Sequence, residues 1–159
     1  MSISNNNRPS WDEYFLNIVS VVATRATCDR GKSGCVIVKE NRILSTGYVG
    51  SPGGFPDCYE AGHILREVKY EDGTIKQHCV RTIHAEQNAI VYAARFGVSL
   101  EGATLYCTMQ PCYVCAMIIV AAGIKRVVCS GAYQSNDSAE IFKKAGIDLL
   151  ILNKEVIKY

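Results

Sequence analysis

The chain has 159 residues, enough for one core and too few for two of useful size, so a single domain over residues 1–159 is expected. Apolar residues make up 48% and charged residues 20%, which excludes a disordered chain, and seventeen Lys and Arg against fifteen Asp and Glu give a field too weak for a general nucleic-acid binder. No apolar run is long enough for a membrane span and the polar start from Met1 to Pro9 lacks a signal peptide's apolar region, so a cytoplasmic protein with a small charged ligand is expected, with no nucleic-acid or membrane partner.

Ser10 followed by Glu13 forms a capping box, and Trp11, Tyr14, Phe15, Ile18, Val19 and Val22 repeat at helical spacing, predicting a helix to about Ala26. Cys35 to Val38 and Ile43 to Thr46 flank a tight polar turn and predict a hairpin. From Tyr48 to about Arg81 no period is sustained; so long a loop in a small domain is usually functional, pinned by a metal or a ligand. His84 to Phe96 predicts a helix closed by Gly97, Thr104 to Cys107 a strand, and the stretch from Pro111 to Gly123 a further helix. Arg126 to Cys129 predicts a strand, Asp137 to Ala145 a helix ended by Gly146, and Asp148 to Leu152 a last strand. Strands alternating with helices imply parallel pairing and the hairpin is antiparallel, so an α/β fold with one mixed sheet covered by helices on both faces is expected.

The eight cysteines sit in a chain expected to stay in a reducing compartment, where metal ligation or plain burial is weighed before disulfides. Cys35, Cys107 and Cys129 fall in predicted strands and read as buried. Cys112 and Cys115 lie three apart at the start of a helix, sharing a face where free amides and the helix dipole favour thiolates. With the neutral imidazole of His84 they fill three of the four tetrahedral positions of Zn²⁺ and leave one for water. Glu86, next but one to His84, is the candidate proton shuttle. Cys112 and Cys115 alone fit a closed zinc knuckle or two buried thiols as well as a catalytic site; His-x-Glu together with Pro-Cys-x-x-Cys is the pattern of zinc nucleobase deaminases.

Beyond these two clusters, the stretch Cys79-Val-Arg-Thr-Ile-His84-Ala-Glu86-Gln-Asn-Ala-Ile90 and the segment Gly47-Tyr48-Val49-Gly50-Ser51-Pro52 resemble the deoxycytidylate deaminases, over nearly the whole chain from the Cys28 region to about Leu152. The resemblance implies a three-layer α/β/α cytidine-deaminase-like fold with a mixed sheet of about five strands. It also implies hydrolysis of deoxycytidine monophosphate (dCMP) to deoxyuridylate and ammonia, feeding thymidylate synthesis. In that family water activated by zinc attacks C4 of cytosine, and the glutamate, here Glu86, carries protons to N3 and then to the departing amine. Tyr133 is similar to the tyrosine that lines the base pocket, although a Tyr after a strand is by itself ordinary packing. Arg30 and Lys32, in the loop before the first strand, are candidates for the 5′-phosphate, against the plain reading of a solvated pair. Val49 stands where many relatives have an Asn, so a neighbouring backbone group or a water would have to meet the sugar hydroxyl.

Some family members hold a second, structural zinc. Cys28, Cys58, His63 and Cys79 are its candidate ligands here, with His78 set aside because adjacent residues need not both reach one ion, and with free thiols as the alternative. The resemblance further implies a homo-hexamer activated by deoxycytidine triphosphate (dCTP) and inhibited by thymidine triphosphate (dTTP). The effector, a triphosphate with Mg²⁺, would lie on the glycine-rich stretch of Gly47, Tyr48, Gly50, Ser51, Pro52, Gly53 and Gly54, where the bland reading is a glycine-rich turn. Tyr92 and Arg95 on the helix that begins at His84 would carry the signal to the metal. Two rivals remain: a tRNA or free-base deaminase, which shares the zinc clusters, and a noncatalytic zinc-binding interaction domain, in which the fourth zinc position would be closed.

Overall fold

A computed structural model describes residues 7–156. Ser10 caps α1 (Trp11–Ala23): its hydroxyl accepts from the Glu13 amide, and the Glu13 carboxylate accepts from the Ser10 amide at 2.7 Å. The helix stops three residues before the expected Ala26, because the amides of Thr24, Arg25 and Ala26 bond carbonyls three residues back and tighten the chain out of α geometry. The expected hairpin is β1 (Gly34–Lys39) with β2 (Arg42–Tyr48). Glu40 and Asn41 between them both take positive φ, 51° and 58°, which matches the twist of paired strands.

The segment expected to be irregular contains structure. It forms the single-turn helix α2 (Cys58–Ala61) and a separate two-stranded sheet of β3 (Leu65–Lys69) with β4 (Ile75–Cys79). All five residues of β3 and the first three of β4 are exposed, so the pairing leaves no alternating apolar face for a sequence to display. Local chemistry sets its turn instead: Asp72 accepts from both the amide and the hydroxyl of Thr74.

The second half follows the expected alternation, with α3 (Ala85–Arg95), β5 (Thr104–Met109), α4 (Tyr113–Ala121), β6 (Arg126–Ala132), α5 (Asp137–Ala145) and β7 (Asp148–Val156). β7 runs past Leu152 because its pairing with β6 resumes beyond an irregularity and reaches Val156 opposite Ala132. The main sheet is five-stranded in the order β2-β1-β5-β6-β7, with β1 antiparallel to both neighbours and β5, β6 and β7 parallel.

The pleat sorts the strands' side chains into two cores. Val36, Val38, Tyr106 and Val128 face Phe15, Leu16 and Val19 of α1. Cys35, Ile37, Leu105, Cys107, Val127 and Cys129 face the other way, onto Ala85, Ala89 and Ala93 of α3, Ala116 and Ile119 of α4, and Phe142 of α5. This is the α/β/α layering expected. The three strand cysteines are fully buried, as their position in the strands implies. Phe15 and Phe142, each all but inaccessible, contribute roughly 1.5–3 kcal/mol apiece by burial. The alanines let α3 lie close to the sheet, and Gly47 completes the approach: a Cβ there would fall 2.3 Å from the Ala85 carbonyl oxygen and 2.5 Å from the Ala89 nitrogen.

One polar knot fastens α1 to the sheet. Arg126 donates from Nη1 and Nη2 to the two Asp12 oxygens at 2.7 and 2.8 Å, and the Tyr106 hydroxyl donates to Asp12 at 2.9 Å. The Arg126 hydrogen bonds hold the Asp12 carboxyl below the usual carboxylate range, outweighing its partial burial. A folded-state pKa below the unfolded one stabilises above the unfolded value and is lost as the pH falls through the folded value. Asp12→Asn is therefore expected to lower stability by about 1–2 kcal/mol at neutral pH, allowing for solvent at a pair that is 25% and 32% exposed, with the deficit shrinking in acid. Urea titrations of both proteins at pH 7 and pH 3 check this; an equal deficit at both would reject it.

Candidate active site and metal centres

The parallel strands β5 and β6 end where α3 and α4 begin, and this edge of the sheet holds a cavity of about 600 Å³. His84 is the N-cap of α3 and Cys112 the N-cap of α4, so the two clusters singled out in the sequence converge from two helix starts. His84 Nδ1 lies 3.6 Å from Cys112 Sγ and 3.4 Å from Cys115 Sγ, and all three atoms lie within 4.8 Å of one another. Tetrahedral zinc, with Zn–S of about 2.3 Å and Zn–N of about 2.0 Å, requires S to N separations of about 3.5 Å. The residues therefore fit the ion, with three ligands and one position left toward the cavity.

Electrostatics prepare the same set. Hydrogen bonding from Cys115 brings the Cys112 thiol down to about 4 against its burial, with His84 helping, while Cys115, the proton-holding partner and itself buried, is pushed up. Glu86 is 4% exposed and burial raises its carboxyl, opposed by the neighbouring His84. Its Oε2 lies 3.8 Å from Cys115 Sγ, which puts it beside the ligand set. Glu86 is the one carboxylate among the described residues lining the cavity.

Of the other predicted contacts, Tyr133, Arg30 and Val49 line the cavity. Lys32 does not: it is exposed on the loop, and Lys76 of β4 faces the cavity instead, a residue the sequence hid inside the undetected hairpin. The Val49 amide donates to the Ser33 carbonyl and its own carbonyl accepts from Thr27, so neither backbone group of Val49 is free to replace the missing side-chain amide. Ser33 and Thr82 also line the cavity, and Gln110, 3% exposed and donating to Ser138 at 3.0 Å, closes its wall; spacing singled out none of them.

The second candidate cluster also assembles. Cys28, Cys58, His63 and Cys79 bring their ligand atoms within 4.8 Å of one another, with Cys28 Sγ 3.7 Å from His63 Nδ1 and Cys58 Sγ 3.6 Å from Cys79 Sγ. Three thiols and an imidazole at these separations fit a closed tetrahedral zinc site. The other His63 nitrogen, Nε2, meets Asp29 at 3.0 Å, the carboxylate partner that orients metal-bound histidines, and one the sequence reading overlooked beside Cys28. Burial raises Cys79, yet amides of Arg81 and Ile64 and the His63 side chain bring it down to about 7; burial and the neighbouring thiols push Cys58 up to about 12. His78 lies outside this cluster and bonds the Tyr70 hydroxyl at 2.8 Å.

The glycine-rich stretch departs from its expected use. Gly47 is engaged in the β1–β2 ladder and packed on α3, and Gly50 exchanges both backbone hydrogen bonds with Ile83, so neither offers a free amide. Tyr48 gives its carbonyl to the Asn88 side chain, and the Ser51 amide donates to Thr27. Pro52, Gly53 and Gly54 form an exposed turn closed by the Phe55 amide on the Pro52 carbonyl. Tyr92 and Arg95 are exposed near the end of α3, about 12 and 16 Å along the helix from His84 at about 1.5 Å per residue, and both lie against Phe96.

Comparison with known proteins agrees with this geometry. Residues 9–131 match the family described as the cytidine and deoxycytidylate deaminase zinc-binding region. A deoxycytidylate deaminase of Mycobacterium phage D29 is 44% identical over 77% of this chain and 95% of its own. One of Saccharomyces cerevisiae is 39% identical over 88% of this chain, which spans 44% of that longer protein. The crystal structure of dCMP deaminase from the cyanophage S-TIM5, in complex with dCMP and dUMP, superposes with a TM-score of 0.73 at 29% identity, covering 91% of this chain and 98% of that one. With its mixed five-stranded sheet, its paired helix starts and a His-Cys-Cys set between them, the chain belongs to the cytidine and deoxycytidylate deaminase zinc-binding family.

Proposed function

We propose that this protein deaminates dCMP to dUMP and ammonia. The observation that carries the reading is the buried Glu86 carboxyl beside an open three-ligand set, in a cavity whose lining also includes the exposed Arg30 and Lys76. His84, Cys112 and Cys115 would hold the zinc ion. When bound, the ion supplies a water activated for attack near neutral pH. Glu86 would take a proton from the attacking water and deliver it to N3 as the C4–O bond forms; it would then take the proton of the new C4 hydroxyl and pass it to the amine, so that the C4=O bond forms as the C4–N bond breaks and ammonia leaves. Its raised affinity for a proton, a consequence of burial, suits a group that must both accept and return one. The Tyr133 ring forms one wall for the base, and Arg30 meets the 5′-phosphate together with Lys76; the exposed Lys32 has no part in this.

The reading extends to a second, structural zinc on Cys28, Cys58, His63 and Cys79, and to a cytoplasmic enzyme, in keeping with cysteines that are all unpaired among the described residues. No helix among the described residues is long and apolar enough to cross a membrane. It further includes a homo-hexamer activated by dCTP and inhibited by dTTP, with Mg²⁺ on the triphosphate. Support for assembly lies in the exposed Tyr113, Val114 and Met117 of α4 and Val91 and Tyr92 of α3. Support for an effector site is limited to the exposed Gly53–Gly54 turn.

A substrate panel read by ammonia release tests this. Turnover of dCMP is expected at least a hundredfold above that of deoxycytidine, dCTP or tRNA, with dCTP shifting a sigmoidal dCMP curve to a hyperbolic one and dTTP lowering the rate below saturation. Preference for another member of the panel would overturn the substrate assignment, and hyperbolic kinetics indifferent to both triphosphates would remove the regulation alone.

A further inference from the structure

The Tyr133 side chain is tied to a distant part of the chain. Its hydroxyl lies 2.9 Å from that of Tyr70, and the Tyr70 hydroxyl lies 2.8 Å from Nε2 of His78. Tyr70 and His78 both belong to the β3–β4 hairpin, which shares no strand pairing with the five-stranded sheet that delivers Tyr133. The hairpin is closed at its tip by hydrogen bonds, where the Tyr70 amide donates to the Thr74 carbonyl at 2.8 Å, the Gly73 amide to the Tyr70 carbonyl at 2.9 Å, and Asp72 accepts from Thr74. It is fastened at its base, where Cys79 joins the four-residue cluster, the Val80 amide donates to the Ile64 carbonyl and Arg81 donates to the Gly62 carbonyl. The same hairpin also orients Arg30, whose Nη2 donates to the Gln77 carbonyl at 2.9 Å. Two cavity side chains from separate parts of the sequence thus take their positions from one hairpin.

A tyrosine ring turns about two side-chain torsions, and a hydroxyl fixed at its far end removes much of that freedom before a ligand arrives. We propose that Tyr70 and His78 are positioning residues for nucleotide binding, holding the Tyr133 ring as a preformed wall through this chain of hydrogen bonds. The inference rests on the deaminase reading. It assigns the pair to affinity and leaves the proton transfers to Glu86.

The test combines substitutions with two readouts, steady-state kinetics on dCMP and calorimetric binding of the product dUMP. Tyr70→Phe removes one hydroxyl while keeping the ring, and is expected to raise KM for dCMP and Kd for dUMP about three- to tenfold, with kcat within about twofold and zinc content unchanged. His78→Ala is expected to do the same, and His78→Gln, which still presents a polar atom to Tyr70, to recover most of the loss. Because Tyr70 acts through the Tyr133 hydroxyl, the Tyr70→Phe/Tyr133→Phe double variant should be no weaker than either single one. Unchanged KM and Kd, or effects of the two tyrosines that multiply, would overturn the inference. A wild-type protein that binds dUMP yet fails to turn over dCMP would instead overturn the deaminase reading, and the binding series would still decide the positioning role.

Discussion

Glu86→Gln is expected to keep zinc at the His84–Cys112–Cys115 centre while deaminating about 10²–10⁴-fold more slowly, the usual contribution of a positioned acid–base group. The amide matches the carboxylate in size and fills the same buried place, 4% exposed, so no cavity opens and no ligand atom is lost. It carries no exchangeable acidic proton, so neither the attacking water nor the departing amine is served. Burial already disfavours the charged carboxylate, so a neutral amide should leave thermal stability unchanged or slightly raised. His84→Ala gives the contrasting outcome: one of only three protein ligands is gone, and the metal leaves with the activity. Metal analysis beside initial rates of ammonia release separates the two. Near-normal turnover by a zinc-replete Glu86→Gln protein would reject the mechanism.

How much of this could be read beforehand follows the physics of each element. The helices and sheet strands were legible because they bury one face, so that Phe15 and Val19, or Val36 and Val38, repeat with the period of their element. The grouping of both clusters was legible because thiols and imidazoles are few; His84, Cys112 and Cys115 announce themselves through local spacing, and the second four through residue type and the length of the loop. The β3–β4 hairpin was not legible, because its residues stay in water and its order comes from the Asp72 turn and the cluster at Cys79. What that hairpin brings to the cavity, Lys76 and the Tyr70–His78 pair, was hidden with it. Gly47 misled for a related reason: a glycine needed for close packing on α3 and a glycine that opens a backbone to phosphate are the same letter, and only the 2.3 Å approach to Ala85 tells them apart.

The second large effect is expected at the other cluster. Cys58→Ala should reduce bound zinc from two equivalents per chain to one and lower stability by about 3–5 kcal/mol, or about 10 °C in Tm for a chain of this size. Cys58 and Cys28 are 7% and 3% exposed, and burial and the neighbouring sulfurs push Cys58 up to about 12, so without an ion its thiol keeps its proton. A divalent ion would take the place of that proton and tie α2, the loop at Cys28 and the base of the hairpin at one point, a constraint that the exposed strands β3 and β4 cannot generate from apolar burial. Cys35→Ala is the control. Cys35 is fully buried but belongs to neither cluster, so its substitution should cost about 1–2 kcal/mol of packing and no zinc. The catalytic equivalent should survive in Cys58→Ala, because His84, Cys112 and Cys115 are held by the starts of α3 and α4 and not by the hairpin. One zinc equivalent in the wild-type protein, or a Cys58→Ala variant that melts no lower than Cys35→Ala, would show that these four residues are reduced thiols and an imidazole packed together without an ion.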